Sequence, residues 1–341
     1  MQSNLNRIDL LDILRGFALV GLPFVNILMF WGDRMNLSGT ELDIWIQRGL
    51  YLFVEGRFYA IFSFLFGVGF WIFLSRAEAK NDRPYRLFIR RMIILLVAGL
   101  LHQIINPGEA LAIYAVFGLF VLIFYKAPKQ FNLIVGVVGI IIGSIFGAKI
   151  LLPLPLIILG IAFGQYRVFE TYKAHKKMWA IIAVVSLLAT AALSILLWNI
   201  APNIGFHPYR EGYELTNIQF EANQSFFYFA DLAMIVAPVF SVFYISTLVI
   251  IEPLIKRMLL PLNHLGRMAL TNYIGQSVIL YALNVFMPAQ MMTSYLMAVI
   301  SCAAVIIVQA IASSLWLKVF KYGPLEWLWR CGTYGKWLKI K

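Results

Sequence analysis

Long apolar runs separated by short polar or basic interruptions dominate the chain, at about residues 10–30, 50–75, 87–105, 110–125, 131–147, 151–166, 178–200, 225–251, 267–287 and 294–317. A helix needs roughly 20 apolar residues to cross the hydrocarbon of a bilayer. The pattern therefore predicts an all-α, polytopic transmembrane helical bundle of about ten spans. Two boundaries admit another arrangement. The third and fourth runs are parted only by Asn106-Pro107-Gly108-Glu109, where proline and glycine break a helix. Lys149 and Pro153 separate the fifth and sixth. Either pair reads equally as a re-entrant hairpin. Gly67-Val68-Gly69 lies inside a run and is read as helix packing, not as a dinucleotide fingerprint.

Composition agrees with this pattern. Hydrophobic residues make up 61% and charged residues 13%, against about half and a quarter in soluble domains. Ten spans consume most of the 341 residues and leave one integral membrane domain over 1–341, with an N-terminal half of about 7–170 and a C-terminal half of about 175–338. Asp9, Asp12 and Arg15 interrupt the first run, which also lacks a small-residue cleavage site, so it reads as a permanent span. Cys302 and Cys331 cannot support a disulfide framework.

The net charge of +12 would suit a nucleic-acid partner if it lay on one amphipathic face. Instead the basic residues sit in loops between apolar runs, as topology signals do. The partner this implies is the lipid bilayer, and no nucleic acid. Clusters at 76–91, 126–129, 167–177, 256–267 and 318–341 fall in alternate segments, whereas the intervening ones hold Arg34, Arg48, Lys149 and Arg210. That asymmetry predicts a multi-pass protein of a bacterial inner membrane with both termini cytoplasmic. The longest outer segment, 201–224, contains Tyr209, Arg210, Glu211, Tyr213, Glu214 and Glu221. It reads either as a solvated loop or as a cap over an external vestibule.

An ionisable side chain inside a span costs several kcal/mol unless paired or facing a wet cavity, so each one is a candidate. Asp12 and Arg15 are three apart on one helix face and can pair; Asn26 lies about four turns further along a similar face. The third run begins with Arg86, Arg90 and Arg91 and ends at His102. Arg91 and His102 share a face about 16 Å apart along the axis. A long anionic ligand would place its phosphates on the arginines and its other end toward His102. Membrane anchoring is the bland reading of the arginines, and interhelical bonding that of the histidine. Glu109, past the turn, can orient the imidazole. No HxxxH or HxxE spacing accompanies His102, so no metal site is expected. Asn272 and Gln276 form a polar stripe that either joins helices or lines a cavity. Glu55, Arg57 and Asp231 are weaker candidates.

Five segments carry a family resemblance. They are Arg7-Ile8-Asp9-Leu10-Leu11-Asp12-Ile13-Leu14-Arg15-Gly16, the stretch from Arg57 to Gly69, and Gly99-Leu100-Leu101-His102 followed by Gly108-Glu109. The others are Gly266-Arg267-Met268-Ala269-Leu270-Thr271-Asn272-Tyr273 and Gly323-Pro324-Leu325-Glu326-Trp327-Leu328-Trp329-Arg330. In this order they resemble the YeiB family of bacterial polytopic membrane proteins, a domain of unknown function. The family usually shows Gly-Asp at the turn; here Gly108-Glu109 follows Pro107, which keeps the carboxylate and lengthens it.

More distantly, the Asp12–Gly16 stretch is similar to a transmembrane acyltransferase superfamily that includes heparan-alpha-glucosaminide N-acetyltransferase. That resemblance implies an acyltransferase-like bundle that takes cytoplasmic acyl-CoA or acetyl-CoA and acylates a small-molecule or glycan hydroxyl or amine on the other side. It implies a catalytic role for His102 with Glu109, and cofactor contacts from Arg86, Arg90 or Arg91. A small-solute transporter or permease is the alternative, with Asp12, Arg15, His102 and Glu109 along its path. A homodimer is left open.

Overall fold

The computed structural model describes residues 7–35, 40–80, 82–146, 150–202 and 217–341, and these form an all-helical protein. Its helices are α1 (Asp9–Trp31), α2 (Glu41–Phe53), α3 (Arg57–Ala79), α4 (Pro84–His102), α5 (Leu111–Phe120), α6 (Lys129–Ile145), α7 (Pro153–Gln165), α8 (Lys176–Ile200), α9 (Asn217–Ile235), α10 (Ala237–Ile255), α11 (Leu260–Arg267), α12 (Ala269–Phe286), α13 (Tyr295–Val319) and α14 (Pro324–Tyr334). The segment 201–224, read as a solvated loop or a cap, falls largely outside the described residues.

Five helical segments are long and apolar enough to cross a membrane: Asp9–Trp31, Glu41–Ala79, Tyr172–Ile200, Ala237–Ile255 and Tyr295–Val319. The other apolar runs differ from that standard for identifiable reasons. α4 and α12 have 19 and 18 residues, but the first carries Arg86, Arg90 and Arg91 and the second Asn272, Gln276 and Asn284. α5, α6 and α7 have 10, 17 and 13 residues. α7 compensates by burial, since Ile157, Ile158, Ile161 and Ala162 pack between α3 and α6 and need no lipid.

The apolar residues that the core does not use point outward. Val184, Val185, Leu188 and Ile195 on α8, and Ile307, Val308, Ile311 and Leu315 on α13, are all exposed. A soluble surface does not tolerate apolar area on this scale, whereas lipid requires it.

Helix α1 is the hub. It packs against α3, α10, α11, α12 and α13. Its crossing with α11 is a glycine pair: a Cβ on Gly16 would lie 1.9 Å from the Leu262 carbonyl oxygen, and one on Gly266 would lie 1.8 Å from that of Asp12. The α3–α7 crossing repeats the device, with Gly67 against Ile157 at 1.9 Å and Gly160 against Phe64 at 2.1 Å. Without a hydrophobic drive between helices in lipid, small residues that let backbones touch are what hold such crossings.

The ninth apolar run is not one helix. It breaks at Met268 (φ −112°, ψ 36°) into α11 and α12. The turn at Asn106-Pro107-Gly108 also forms: the Asn106 side chain accepts the Gly108 N–H at 3.1 Å and donates to Ser277 Oγ at 3.2 Å, tying the turn to α12.

The glycine contacts predict opposite effects for one substitution. Gly266→Ala drives a methyl into backbone and lowers the melting temperature of detergent-purified protein by several degrees, or abolishes folding. Gly49→Ala, with nothing within 4 Å of the added carbon, leaves it unchanged or raises it, alanine being favoured by about 1 kcal/mol in a helix. Thermal melts of the two variants check this.

Candidate functional site

The site forms where α1, α3, α4, α12 and α14 approach one another, and it begins with charge. Asp12, on the first turn of α1, bonds Arg7 and, at 3.1 Å, Arg15. One buried carboxylate thus serves two guanidiniums. Gly69 on α3 leaves room for the Arg15 side chain, whose Nη2 would lie 3.1 Å from an added Cβ. Arg91 on α4 is sandwiched between aromatic rings, 3.5 Å from that of Trp329 and 5.0 Å from that of Phe73, and its carbonyl accepts the Trp329 indole N–H at 2.9 Å. Arg330 lies 4.4 Å from the Tyr322 ring with its Nε buried and unbonded.

Among the described residues, neither Arg91 nor Arg330 has a carboxylate within ion-pair distance. Arg91 is nonetheless an electrostatic neighbour of Arg330 and of Arg15. Glu326 is close enough to act on Arg91, but its oxygens are engaged elsewhere. They accept the N–H groups of Leu270 (2.6 Å) and Thr271 (3.0 Å) and the Thr271 hydroxyl (2.6 Å). The break at Met268 bares these donors at the start of α12, and Glu326 caps them.

Around this cluster lie three spaces that share walls. A cleft of about 360 Å³ at the basic end is lined by Arg7, Asp12, Arg15, Arg76, Arg91 and Arg330 among others. It shares those residues, except Arg76, with a middle cavity of about 270 Å³ whose further walls are largely aromatic, including Phe66, Phe70, Phe73 and Phe88. A far cavity of about 290 Å³ lies beyond, with Asn26, Glu55, Tyr59 and Glu109 on its walls. Phe62, Leu111, Tyr114 and Tyr273 line both the middle and far cavities, so these four side chains form the partition between them.

Glu109 stands on the far side of the partition. Its carboxylate caps α5, accepting the Leu111 N–H and, at 3.0 Å, that of Ala112. His102 is buried behind it, 3% exposed, with Nδ1 3.5 Å from Glu109 Oε1. The Tyr273 ring meets the imidazole edge-on at 5.3 Å. Neither ring nitrogen has a hydrogen-bond partner among the described residues.

The other candidates are dispersed. Arg86 is exposed, and Arg90 donates to the Gly332 carbonyl at 2.9 Å, fastening α14 to α4. Asn272 and Gln276 do not line these cavities. Asn272 bonds Leu265 O (3.1 Å) and Ser313 Oγ (3.0 Å), and Gln276 donates to Leu19 O (3.2 Å), so both hold helices together. Arg57 is fully buried, its guanidinium 4.6 Å from the Phe240 ring, and Asp231 is exposed.

Comparison with known proteins gives this arrangement a family. Residues 163–336 match the family model described as "Protein of unknown function (DUF418)". The chain is 40% identical over 334 residues to an uncharacterized 39.9 kDa protein in the amylase 3' region of Bacillus acidopullulyticus, covering 97% of this chain and 94% of that one. It is 28% identical over 396 residues to the uncharacterized protein YxaH of Bacillus subtilis (98% and 96% covered) and 25% identical over 382 residues to the uncharacterized protein YeiB of Escherichia coli (94% of each). The chain belongs to the DUF418 family. The DUF418 region supplies α11, α12 and α14, hence Tyr273, Glu326, Trp329 and Arg330, while Asp12, Arg15, Arg91, His102 and Glu109 come from the preceding half. Neither half of this DUF418 protein encloses the middle cavity alone.

Glu326, Trp329, Arg330 and Tyr273 were visible in sequence only as members of the motifs in α12 and α14. Nothing in their spacing revealed that α14 folds back against α4.

Removing the Glu326 cap tests the architecture of the DUF418 wall. Glu326→Ala leaves the Leu270 and Thr271 donors unsatisfied and destabilises the protein by about 2–4 kcal/mol, since bonds to a charged group contribute roughly 1.5–3 kcal/mol each before partial replacement by water. Thr271→Val removes the hydroxyl bond to Glu326 and the one that Thr271 Oγ1 accepts from the Leu325 N–H, keeps the two backbone donors capped, and costs about half as much. Melting temperatures of the two variants, ranked against wild type, measure the difference.

Proposed function

We propose that this protein is a ten-span inner-membrane acyltransferase, both termini cytoplasmic, that moves an acyl group from cytoplasmic acyl-CoA to a hydroxyl or amine acceptor on the opposite side. The observation that carries the reading is the pair Arg91 and Arg330, adjacent cations with no carboxylate partner, placed where the basic cleft opens into the aromatic cavity. Like charges brought together away from bulk water repel strongly. A bound anion relieves that repulsion, and guanidinium suits phosphate because its planar fork makes paired, charge-assisted bonds.

A CoA thioester fits this sequence of spaces. Its phosphates would meet Arg15, Arg91 and Arg330, and its pantetheine arm would thread the aromatic cavity. The thioester would arrive near the partition, about 16 Å along α4 from Arg91 to His102. The acceptor would occupy the far cavity against Glu109. The His102–Glu109 pair would accept the acceptor's proton, with Glu109 at the wall and the imidazole behind it, and return it to the departing thiolate. The contrast between arginines at one end and carboxylates at the other supports separate donor and acceptor sites.

The broken helix α11–α12 favours a second reading, since discontinuous helices at a central cavity are common in secondary transporters. As a small-solute permease, the protein would open the partition rather than react across it.

A ligand that binds only the folded form must stabilise it. CoA raises the melting temperature of purified wild-type protein, and Arg91→Ala or Arg330→Gln removes most of that rise while Arg86→Ala retains it. His102→Ala still folds but does not transfer an acyl group. Solute counterflow in proteoliposomes without any acyl donor, with no CoA-dependent shift in melting, would favour the permease.

A further inference from the structure

Acyl transfer needs more than a base. As an acceptor attacks the thioester carbonyl, negative charge develops on the carbonyl oxygen, and a positioned donor there is worth roughly 10²–10³ in rate. Asn272 and Gln276, the amides nearest in sequence to this role, have their N–H groups directed at Leu265, Ser313 and Leu19. A donor must therefore come from the partition itself.

Two hydroxyls stand there. Ser63 Oγ lies 2.9 Å from the Tyr59 carbonyl and 2.6 Å from Tyr114 Oη; with the Ser63 proton on that carbonyl, the Tyr114 hydroxyl is the donor of the shorter contact. The Tyr114 proton is engaged. Tyr273 differs. Its oxygen accepts the Ala110 N–H at 3.3 Å, and its own proton meets no acceptor among the described residues. Tyr273 is 5% exposed, lines both cavities and packs edge-on to His102. A buried O–H with no acceptor is an incomplete bond that a ligand oxygen completes. The Ala110 N–H fixes where the oxygen sits, and it also polarises the hydroxyl toward donation.

The geometry points to Tyr273 as the group that donates a hydrogen bond to the thioester carbonyl oxygen and stabilises the oxyanion formed there. This rests on the acyl-transfer reading. The acceptor's oxygen or nitrogen forms a bond to the carbonyl carbon while its proton passes to the His102–Glu109 pair, and the carbonyl electron pair moves onto the oxygen held by Tyr273. When that pair returns, the carbon–sulfur bond breaks and the CoA thiolate takes the proton back. Tyr273 remains protonated throughout.

The test reads the ground state and needs no acceptor. Acetyl-CoA labelled with ¹³C at its carbonyl is bound to detergent-purified full-length protein and its carbonyl stretch recorded by isotope-edited infrared difference spectroscopy. In wild type the band lies at lower frequency than in free acetyl-CoA. Tyr273→Phe returns it toward the free value with donor affinity within about threefold, whereas Tyr114→Phe keeps the wild-type band. A wild-type band at the free position, or a Tyr273→Phe band at the wild-type position, overturns the assignment while leaving acyl transfer standing. If acetyl-CoA does not bind wild type at all, acyl transfer falls and the assignment with it. Should Tyr273→Phe fail to fold, Tyr114→Phe decides: a band that keeps the wild-type position supports the assignment, and one that returns to the free value overturns it.

Discussion

Four guanidiniums, those of Arg7, Arg15, Arg91 and Arg330, line both the basic cleft and the middle cavity; Asp12 is bonded to Arg7 and Arg15, and Glu326, on the cavity wall, is engaged at the start of α12. This imbalance is the constraint on which the rest of the structure depends. Buried charge is tolerated only when paired or hydrated, and the protein meets the requirement partly with rings: Trp329 and Phe73 around Arg91, Tyr322 beside Arg330. Cation–π contacts of this kind contribute about 0.5–2 kcal/mol each. They moderate the repulsion while leaving the N–H groups of Arg91 free, since a ring face attracts the cation without consuming a donor.

The helical framework places those groups through contacts at the level of backbone. The Gly16–Gly266 crossing sets α11 against α1, which puts the Met268 break beside Arg15. The break bares the start of α12, Glu326 caps it, and the same α14 that carries Glu326 delivers Trp329 and Arg330 to Arg91. Two residues after the capped Thr271, Tyr273 stands in the partition. Charge cluster, helix break and partition are therefore coupled through a few contacts, and a change at Gly266 or Glu326 propagates to all three.

Much of this was legible in the sequence and some was not. The apolar runs locate most of the helices but not α2, α11 or α14, and one run covers both α9 and α10; the Asn106–Glu109 turn falls where proline and glycine require it. Asp12 and Arg15 pair as their three-residue spacing allows. Helical spacing also predicts that Arg91 and His102 share a face, but it could not separate Arg91 from Arg90, one residue away. Arg90 turns to the Gly332 carbonyl because α14 docks there, a contact between residues 242 apart in sequence. Nor does spacing tell a polar stripe that joins helices from one that lines a cavity: Asn272 and Gln276 bond to α13 and α1, while Tyr273, between them, faces the open space. The sequence offers Glu109 as a carboxylate that can orient the His102 imidazole. In the structure Glu109 is the group on the cavity wall and His102 lies behind it, because the Leu111 and Ala112 N–H groups draw the carboxylate over the imidazole.

The central claim is that the Arg91–Arg330 junction holds a phosphate-bearing thioester donor whose arm enters the aromatic cavity. Calorimetric titration of detergent-purified wild type with CoA, and separately with pantetheine, which has the arm but no phosphates, tests it most directly. CoA is expected to bind, and pantetheine to bind at least ~10-fold more weakly, since each lost charge-assisted contact is worth about 1.5–3 kcal/mol. Equal affinities, or no binding of CoA at low ionic strength, would contradict it.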